Sequence, residues 1–447
     1  MKIEENNNLR QLAERLIDYG LAQGADEIEI TFYEGREFDV EVRFGRIENL
    51  VEASSRYCFI RIFKERRAAS ASSSDLNLPA LRTLIRKTIK RASLSQPDAF
   101  AGLPAPAPFK IAVDSLKLYD PEVTRMSSRE KIKLALETER IALQDKRISN
   151  SFGASFVTNE LKTVLVNSRG FSGEYLQTYC SLSLGLQAGQ GDRLVEDYWF
   201  SSKRHLGELD SPEEVARKAV ERTVRQLNPR KVKTSKVPVI FEPTMTSWLL
   251  AFLFTCVSGT AVYQQTTFLA NRLGEKIGND NISVIDDGLL PGRLGSRPFD
   301  SEGVPTQRTL VLEKGILRNF LCNTYASRKL NLPPTGNGNG HGVVPNNFYL
   351  EAGQFTPEQI IKSTREGFLL TKVIGHGLNP VTGDISRGAS GLWIKDGEIA
   401  FPVSEVTIAG NLGKILQEID LVGNDLQFES SICGPTIRVA EMTVAGI

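Results

Sequence analysis

EIEITFYEGREFDVEVRFG, Glu27 to Gly45, decides the fold class. Ile28, Ile30 and Phe32 alternate with polar neighbours, as a half-buried strand requires, and Gly35 suggests a turn. Phe38, Val40, Val42 and Phe44 then repeat the period of two, and Gly45 suggests a second turn. Before this stretch, Leu9, Leu12, Leu16 and Ile17 keep helical spacing, which runs out between Gly20 and Gly24. After it, Tyr57–Phe63 reads as another strand, and Leu81, Leu84, Ile85, Thr88 and Ala92 as a helix. Helices flanking hairpin-like alternation make an α+β unit with antiparallel pairing.

Three such units fit a chain of 447 residues. The small N-terminal α+β domain is placed at 1–96, followed by PDAFAGLPAPAP in a Pro/Ala-rich linker at 97–113 that favours an extended spacer. A central α+β domain follows at 114–230. Its first helix starts at the capping box Ser127/Glu130, its closing helix at Ser211, Pro212 and Glu214, and strands are expected near Ile148–Val157, Lys162–Val166 and Glu174–Leu186. The larger C-terminal domain, 231–447, is rich in glycine and short β-branched segments and reads as mostly antiparallel β. One further helix is expected there, from Thr356 and Pro357 to Gly367.

The apolar run Trp248–Tyr263 is interrupted by polar residues and shorter than the ~20 residues a membrane span needs, so a buried helix is expected. The N-terminus, MKIEENNNLRQL, lacks the apolar core of a signal peptide. Lys plus Arg number 54 and Asp plus Glu 53, a formal charge of +1 that offers no field for a nucleic-acid backbone. The basic clusters Lys64/Arg66/Arg67 and Arg230/Lys231/Lys233 read as solvated surface. Five scattered cysteines without a CxxC pair argue against a disulfide framework and for a reducing, cytoplasmic compartment.

Chemistry is sparse. The three histidines, His205, His341 and His376, have no partner at helical spacing, so HExxH is absent. A composite zinc site from His341, His376 and Cys433 would need ligands drawn from distant segments. No GxSxG elbow occurs, and Ser172 in GFSGEY and Ser390 in RGASGLW approach it only loosely. The run GNGNGHG, Gly336–Gly342, could turn N–H groups toward an anion, or form a flexible loop with positive-φ turns.

GHGLNPVTGDISRGASGLWIKDGEIAFPVSEVTIAGNL, Gly375–Leu412, resembles the signature region of the TldD/PmbA family, once called modulators of DNA gyrase. NSRGFSGEY (Asn167–Tyr175), VIDDG (Val284–Gly288) and EGVPTQRTLVLEKGILRNFL (Glu302–Leu321) agree in order and spacing, so the resemblance covers essentially the whole chain. It implies a division into zinc-binding TldD-type subunits, with HExxxH and a downstream cysteine, and PmbA-type (TldE) partners without that motif. With NRLGEKIG (Asn271–Gly278) as anchor, the zinc helix resembles WLLAFLFTC, and the motif falls at about Leu250–Thr255, where neither histidine nor glutamate stands. Cys433 falls near the family's cysteine ligand.

The expectation is therefore a non-catalytic subunit that binds no zinc itself. Zinc is expected in a TldD-type HExxxH paralogue, the predicted partner, with an extended, unfolded peptide held in a cavity between them; alone, the chain is either a monomer or a homodimer. No nucleic-acid or membrane partner is expected. Asn379, Asp384 and Arg387 are candidate wall or loop-holding residues; Asp384 and Arg387 could equally pin a turn. The alternatives are a stand-alone or homodimeric peptidase with an unrecognised site, and a regulatory binding protein.

Overall fold

The computed structural model describes residues 9–446; Met1–Asn8, part of the stretch compared above with a signal peptide, and Ile447 lie outside them. The chain begins with α1 (Leu9–Ala22), three antiparallel strands β1 (Glu27–Arg43), β2 (Arg46–Lys64) and β3 (Arg67–Ser73), and α2 (Leu78–Leu94). After α3 (Pro121–Arg125) and α4 (Ser128–Ala142) come β4 (Ile148–Asn167), β5 (Ser172–Ala188), β6 (Val195–Lys203) and α5 (Pro212–Val224). All six strands form one antiparallel sheet in the order β3-β2-β1-β4-β5-β6. The first two units of sequence thus share a single sheet, joined where β1 pairs with β4.

Gly35 does not turn: β1 continues through it, opposite Ser55 on one side and Leu161 on the other. The two strands expected around 148–166 are likewise one, β4. The even-numbered side chains of β1 explain how a single strand reads as two. Ile28, Ile30 and Phe32 belong to the core under α1 and α2. Phe38, Val40 and Val42 belong to a second core under α4 and α5. Between them stand Glu34, paired with Arg56 at 2.6 Å, and Arg36, so the apolar stripe breaks where one pair of helices gives way to the next. The real reversal comes at Phe44–Gly45, both with positive φ, the two-residue turn that matches strand twist. Glu139 of α4 accepts the N–H groups of Phe44 and Gly45 at 3.0 and 2.9 Å and fixes this tip.

The C-terminal part contains β7 (Ser235–Phe241), α6 (Pro243–Val257), α7 (Gly259–Tyr263), β8 (Val284–Asp287), β9 (Arg308–Glu313), β10 (Ile316–Leu317), α8 (Thr324–Leu330), β11 (Asn347–Leu350) and α9 (Pro357–Lys362). It continues with β12 (Glu366–Ile374), β13 (Leu378–Asn379), β14 (Asp384–Lys395), β15 (Glu398–Asn411), α10 (Leu412–Glu418), β16 (Ile419–Val422), β17 (Ile432–Cys433) and β18 (Ile437–Ala445). The pairing β12–β7–β18–β15–β14 returns from β14 to β12 and closes a five-stranded barrel, which removes free edges. A second sheet runs β10-β9-β8-β11-β17. Pairing is antiparallel except for β7–β12 and β11–β17. The expected helix at 356–367 is α9 and ends at Lys362; barrel strand β12 takes over from Glu366. Among the described residues no helix is long and apolar enough to cross a membrane.

The apolar run at 248–263 is α6 and α7, separated at Ser258. Leu249, Leu250, Phe252, Leu253, Cys256 and Val257 are buried and join side chains of the barrel and the second sheet in the largest core. The proline-rich segment is strapped down: Arg328 of α8 donates to the carbonyls of Phe100, Gly102 and Leu103. Phe109 meets Phe171 and Phe299 edge-on at 5.7 Å each.

Candidate functional site

Two regions compete for attention. The first is α6 and the segment that passes it, Cys433–Gly434. A Cβ on Gly434 would lie 2.3 Å from the Thr246 methyl and 3.0 Å from Leu250 Cδ1, so only glycine lets the chain run this close to the helix. Cys433, beside it, is buried. Its Sγ faces the Ser430 carbonyl at 3.2 Å, and burial pushes the thiol pKa up. The stretch from Leu250 to Thr255 supplies alkyl and aromatic groups, with Thr255 turned outward and donating to the Ala251 carbonyl at 3.1 Å. A catalytic zinc needs three protein ligands; this wall offers the Cys433 thiol and, further along α6, only the Cys256 thiol, with no imidazole or carboxylate from α6.

Beside the wall lies a cleft of about 510 Å³ between β6 and the C-terminal part. Trp199, Phe200, Ile361, Leu369 and Ile399 give it apolar sides, and the start of α6 and Cys433 also line it. The cations Arg222 and Arg225 are held by Glu242 at 2.9 and 2.6 Å. Their charge holds the Glu242 carboxyl below its ordinary range against the opposing effect of burial. As the last strand of its sheet, β6 has an outer edge without a strand partner among the described residues. Ser202 N–H on this strand is taken by Glu429 at 2.8 Å, and Tyr198 to Phe200 line the cleft.

The second region is the seam between the six-stranded sheet and the C-terminal part. Arg61, on β2, donates to Glu29 on β1 at 3.2 Å and to Glu302 at 3.1 Å. The other oxygen of Glu302 accepts Thr324 N–H at the start of α8, at 2.8 Å. Asp300 accepts the N–H groups of Glu302, Val304 and Gly338 at 2.9, 3.0 and 2.7 Å. These charged groups are all buried. Burial, opposed by Arg61, pushes Glu29 up to about 7, and burial with the charge of Glu302 pushes Asp300 up to about 7.

Three of the four passages that carry the family resemblance converge on this seam rather than on α6. EGVPTQRT supplies Glu302. VIDDG supplies Asp286, buried and accepting the side-chain amides of Asn337 and Asn346 at 2.7 and 2.8 Å. NSRGFSGEY is the β4–β5 turn, held by Asn167 Oδ1, and it sends Phe171 against Phe299 at 5.0 Å between ring centres. The glycine-dense run folds against the same acids. Gly338 N–H serves Asp300, while His341 and Gly342 N–H serve Asn339 at 3.1 and 2.6 Å, so those donors are already committed within the chain.

The fourth passage forms β13, β14 and β15. Asn379 Oδ1 accepts Val381 N–H at 3.0 Å, and its carbonyl accepts Gly383 N–H at 2.7 Å. Asp384 accepts from Thr382 at 2.6 Å and from the Asn411 amide at 2.9 Å, and these bonds lower its pKa. Arg387 takes no part in that turn: its Nε reaches the Ile374 carbonyl at 3.3 Å and its guanidinium lies 5.6 Å from the Trp248 ring centre. Asn379 and Asp384 therefore hold a loop together, and Arg387 stands separately beside α6.

Ser172 opens β5 and Ser390 lies within β14, so neither sits on a strand-to-helix elbow. His205 bonds the Lys117 carbonyl at 2.8 Å, and His341 meets the Phe59 ring edge-on. No group of three His, Cys, Asp or Glu side chains comes together at metal-holding distance among the described residues. The acid cluster around Arg61 was not picked out from sequence; alternation alone places the partly charged Glu29 row on a face opposite the apolar one, which hints at a second packing surface.

Models of the PmbA/TldA metallopeptidase match along the chain: domain 1 over residues 28–93, the central domain over 121–227 and the C-terminal domain over 234–446. The chain is 35% identical over 428 residues to the metalloprotease PmbA of Escherichia coli O157:H7, covering 95% of this chain and 94% of the relative. It is 34% identical over 450 residues to the metalloprotease PmbA homolog of Haemophilus influenzae, covering 99% and 97%. Its fold is similar to that of TldE from Thermococcus kodakarensis, with a TM-score of 0.89, 25% identity and coverage of 97% and 100%. A Bacteroides thetaiotaomicron chain named for modulation of DNA gyrase gives 0.91 and 28%, with full coverage of both. The chain belongs to the PmbA/TldD metallopeptidase family.

Proposed function

We propose that this chain is the non-catalytic subunit of a two-subunit zinc metallopeptidase, paired with a relative that carries HExxxH and holds the metal. The observation that carries this reading is the α6–Cys433 wall, where one buried thiol stands among Thr246, Leu250 and other groups that bind no zinc. The donor set does not fit the metal, and no glutamate on α6 could take a proton from a bound water. The similarity to TldE from Thermococcus kodakarensis supports the same assignment.

The cleft along β6 supports a peptide-handling role. An extended peptide can lie along the β6 edge, bonding main-chain groups other than the Tyr198 and Ser202 N–H already taken by Asp197 and Glu429, with its side chains against Trp199, Phe200 and Ile399. Each such hydrogen bond contributes about 1 kcal/mol net, so several must act together, and a folded substrate cannot supply them because its main chain is already paired. The chain then selects unfolded segments while its partner cleaves them.

The test is reconstitution with an unstructured peptide. The isolated chain should leave the peptide intact, the two subunits together should cleave it, and replacing the partner's HExxxH histidines should abolish cleavage. Cleavage by the isolated chain would overturn the reading.

A further inference from the structure

Strand β2 is covered unevenly. Its second part, Cys58–Lys64, pairs with β3 on the side away from β1. Its first part, Arg46–Tyr57, pairs only with β1 among the described residues, and all twelve of these residues are exposed. Several are apolar: Ile47 is 49% exposed, Leu50 46% and Val51 39%, with Phe44 at 55% on the adjoining tip. Ile47 and Leu50 stand opposite Val42 and Val40, which are fully buried in the core under α4. Directly opposed residues share a sheet face, so the apolar layer continues onto β2 and runs out from beneath its helices.

Open edges are usually blunted by lysine, proline, bulges or covering segments. From Arg46 to Tyr57 there is no lysine and no proline. One register shift, between Asn49 and Ile47, leaves Asn49–Tyr57 regularly paired with β1. That stretch is about 30 Å of strand with one row of main-chain groups open.

We propose that the Arg46–Tyr57 edge of β2 docks the metal-bearing subunit, which adds a strand there and covers Ile47 and Leu50 with its own apolar side chains. The inference rests on the two-subunit reading and names its contact surface. A lone peptide would satisfy the edge but leave the apolar layer bare; a folded subunit covers both. The twelve exposed residues are about half of the ~20–30 per side of a stable complex, so a folded subunit docked here extends its contact beyond the ribbon. Its charges, Arg46, Glu48, Glu52 and Arg56, sum to zero, so the surface suits a matched protein neighbour rather than a strongly charged ligand.

The experiment measures association of the full chain with its HExxxH relative by analytical ultracentrifugation. The double variant Ile47→Lys/Leu50→Lys should weaken pairing at least 100-fold with an unchanged circular dichroism spectrum. Leu94→Lys, at a still more exposed leucine on α2, should pair as the unaltered chain does. Amide exchange in the unaltered chain should slow across Asn49–Tyr57 on pairing. Unchanged affinity of the double variant, or unchanged exchange in that segment while the subunits pair, overturns the docking site and leaves the two-subunit reading intact. Absence of any pairing by the unaltered chain overturns that reading, and the docking site with it.

Discussion

The wall around Cys433 and the cluster around Arg61 use buried space in opposite ways. Beside Cys433 the α6 side chains are aliphatic, aromatic or hydroxyl-bearing, with no carboxylate or imidazole, and burial pushes the Cys433 thiol pKa up. Around Arg61, Glu29 and Glu302 share one guanidinium beneath the seam between the sheet and the C-terminal part, and Asp300 stands beside Glu302, accepting its N–H. A zinc peptidase would be expected to concentrate polar groups at α6; this chain concentrates them where its layers join. The difference teaches that a dense, charged, buried site can be joinery, while the place that kinship marks for chemistry can be plain core.

Glu302→Ala should have the largest effect. It strips Arg61 of one of its two carboxylate partners and leaves Thr324 N–H bare, so unfolding by denaturant should show a loss of about 3–5 kcal/mol. A loss below about 1 kcal/mol would break the comparison, because the seam would then not depend on its acids. Next, Leu253→Ala on the fully buried face of α6 should cost about 3 kcal/mol as a cavity in the core. A stabilised or unaffected variant would mean that α6 is strained for some purpose other than packing.

The acids also predict a pH response. Glu29 and Asp300 each have a pKa near 7, above that of an unfolded carboxylate, so the folded state holds protons that the unfolded chain gives up. The stability this contributes is fully present below the ordinary carboxylate pKa and is lost as pH rises through about 7. The Tm should fall by several degrees between pH 5 and pH 8, and Asp300→Asn should flatten that slope. An equal slope in the variant would place the titrating groups elsewhere. Smallest of all, Asp384→Ala should barely move Tm, because Asp384 and Thr382 are exposed and Asn411 is only half-buried. A large drop would show that this loop carries structural load comparable with the seam.

Much of this was legible in the residues. Period-two alternation found β1, capping residues found α4 and α5, and the interrupted apolar run found α6 as a buried helix. Gly35 misled because a polar break in the stripe, Glu34 and Arg36, looks the same whether the chain turns or one strand passes from one helical layer to another. The joining of the first two units into one sheet was hidden because the β1–β4 pairing spans more than a hundred residues, beyond any local period. The lack of histidine or glutamate on α6 needed only the sequence and the resemblance. The Arg61 cluster did not declare itself, since Glu29, Arg61 and Glu302 meet only through folding. Arg387 and Asp384 are close in sequence yet do not bond each other, because side chains three apart on a strand point to opposite faces.

The most direct test is the metal content of the isolated chain after equilibration with zinc and gel filtration, read by mass spectrometry beside its HExxxH relative. The account predicts that the relative retains close to one zinc per subunit and that this chain retains only a trace, unchanged by Cys433→Ser. One tightly retained zinc per chain, lost on replacing Cys433, would contradict it.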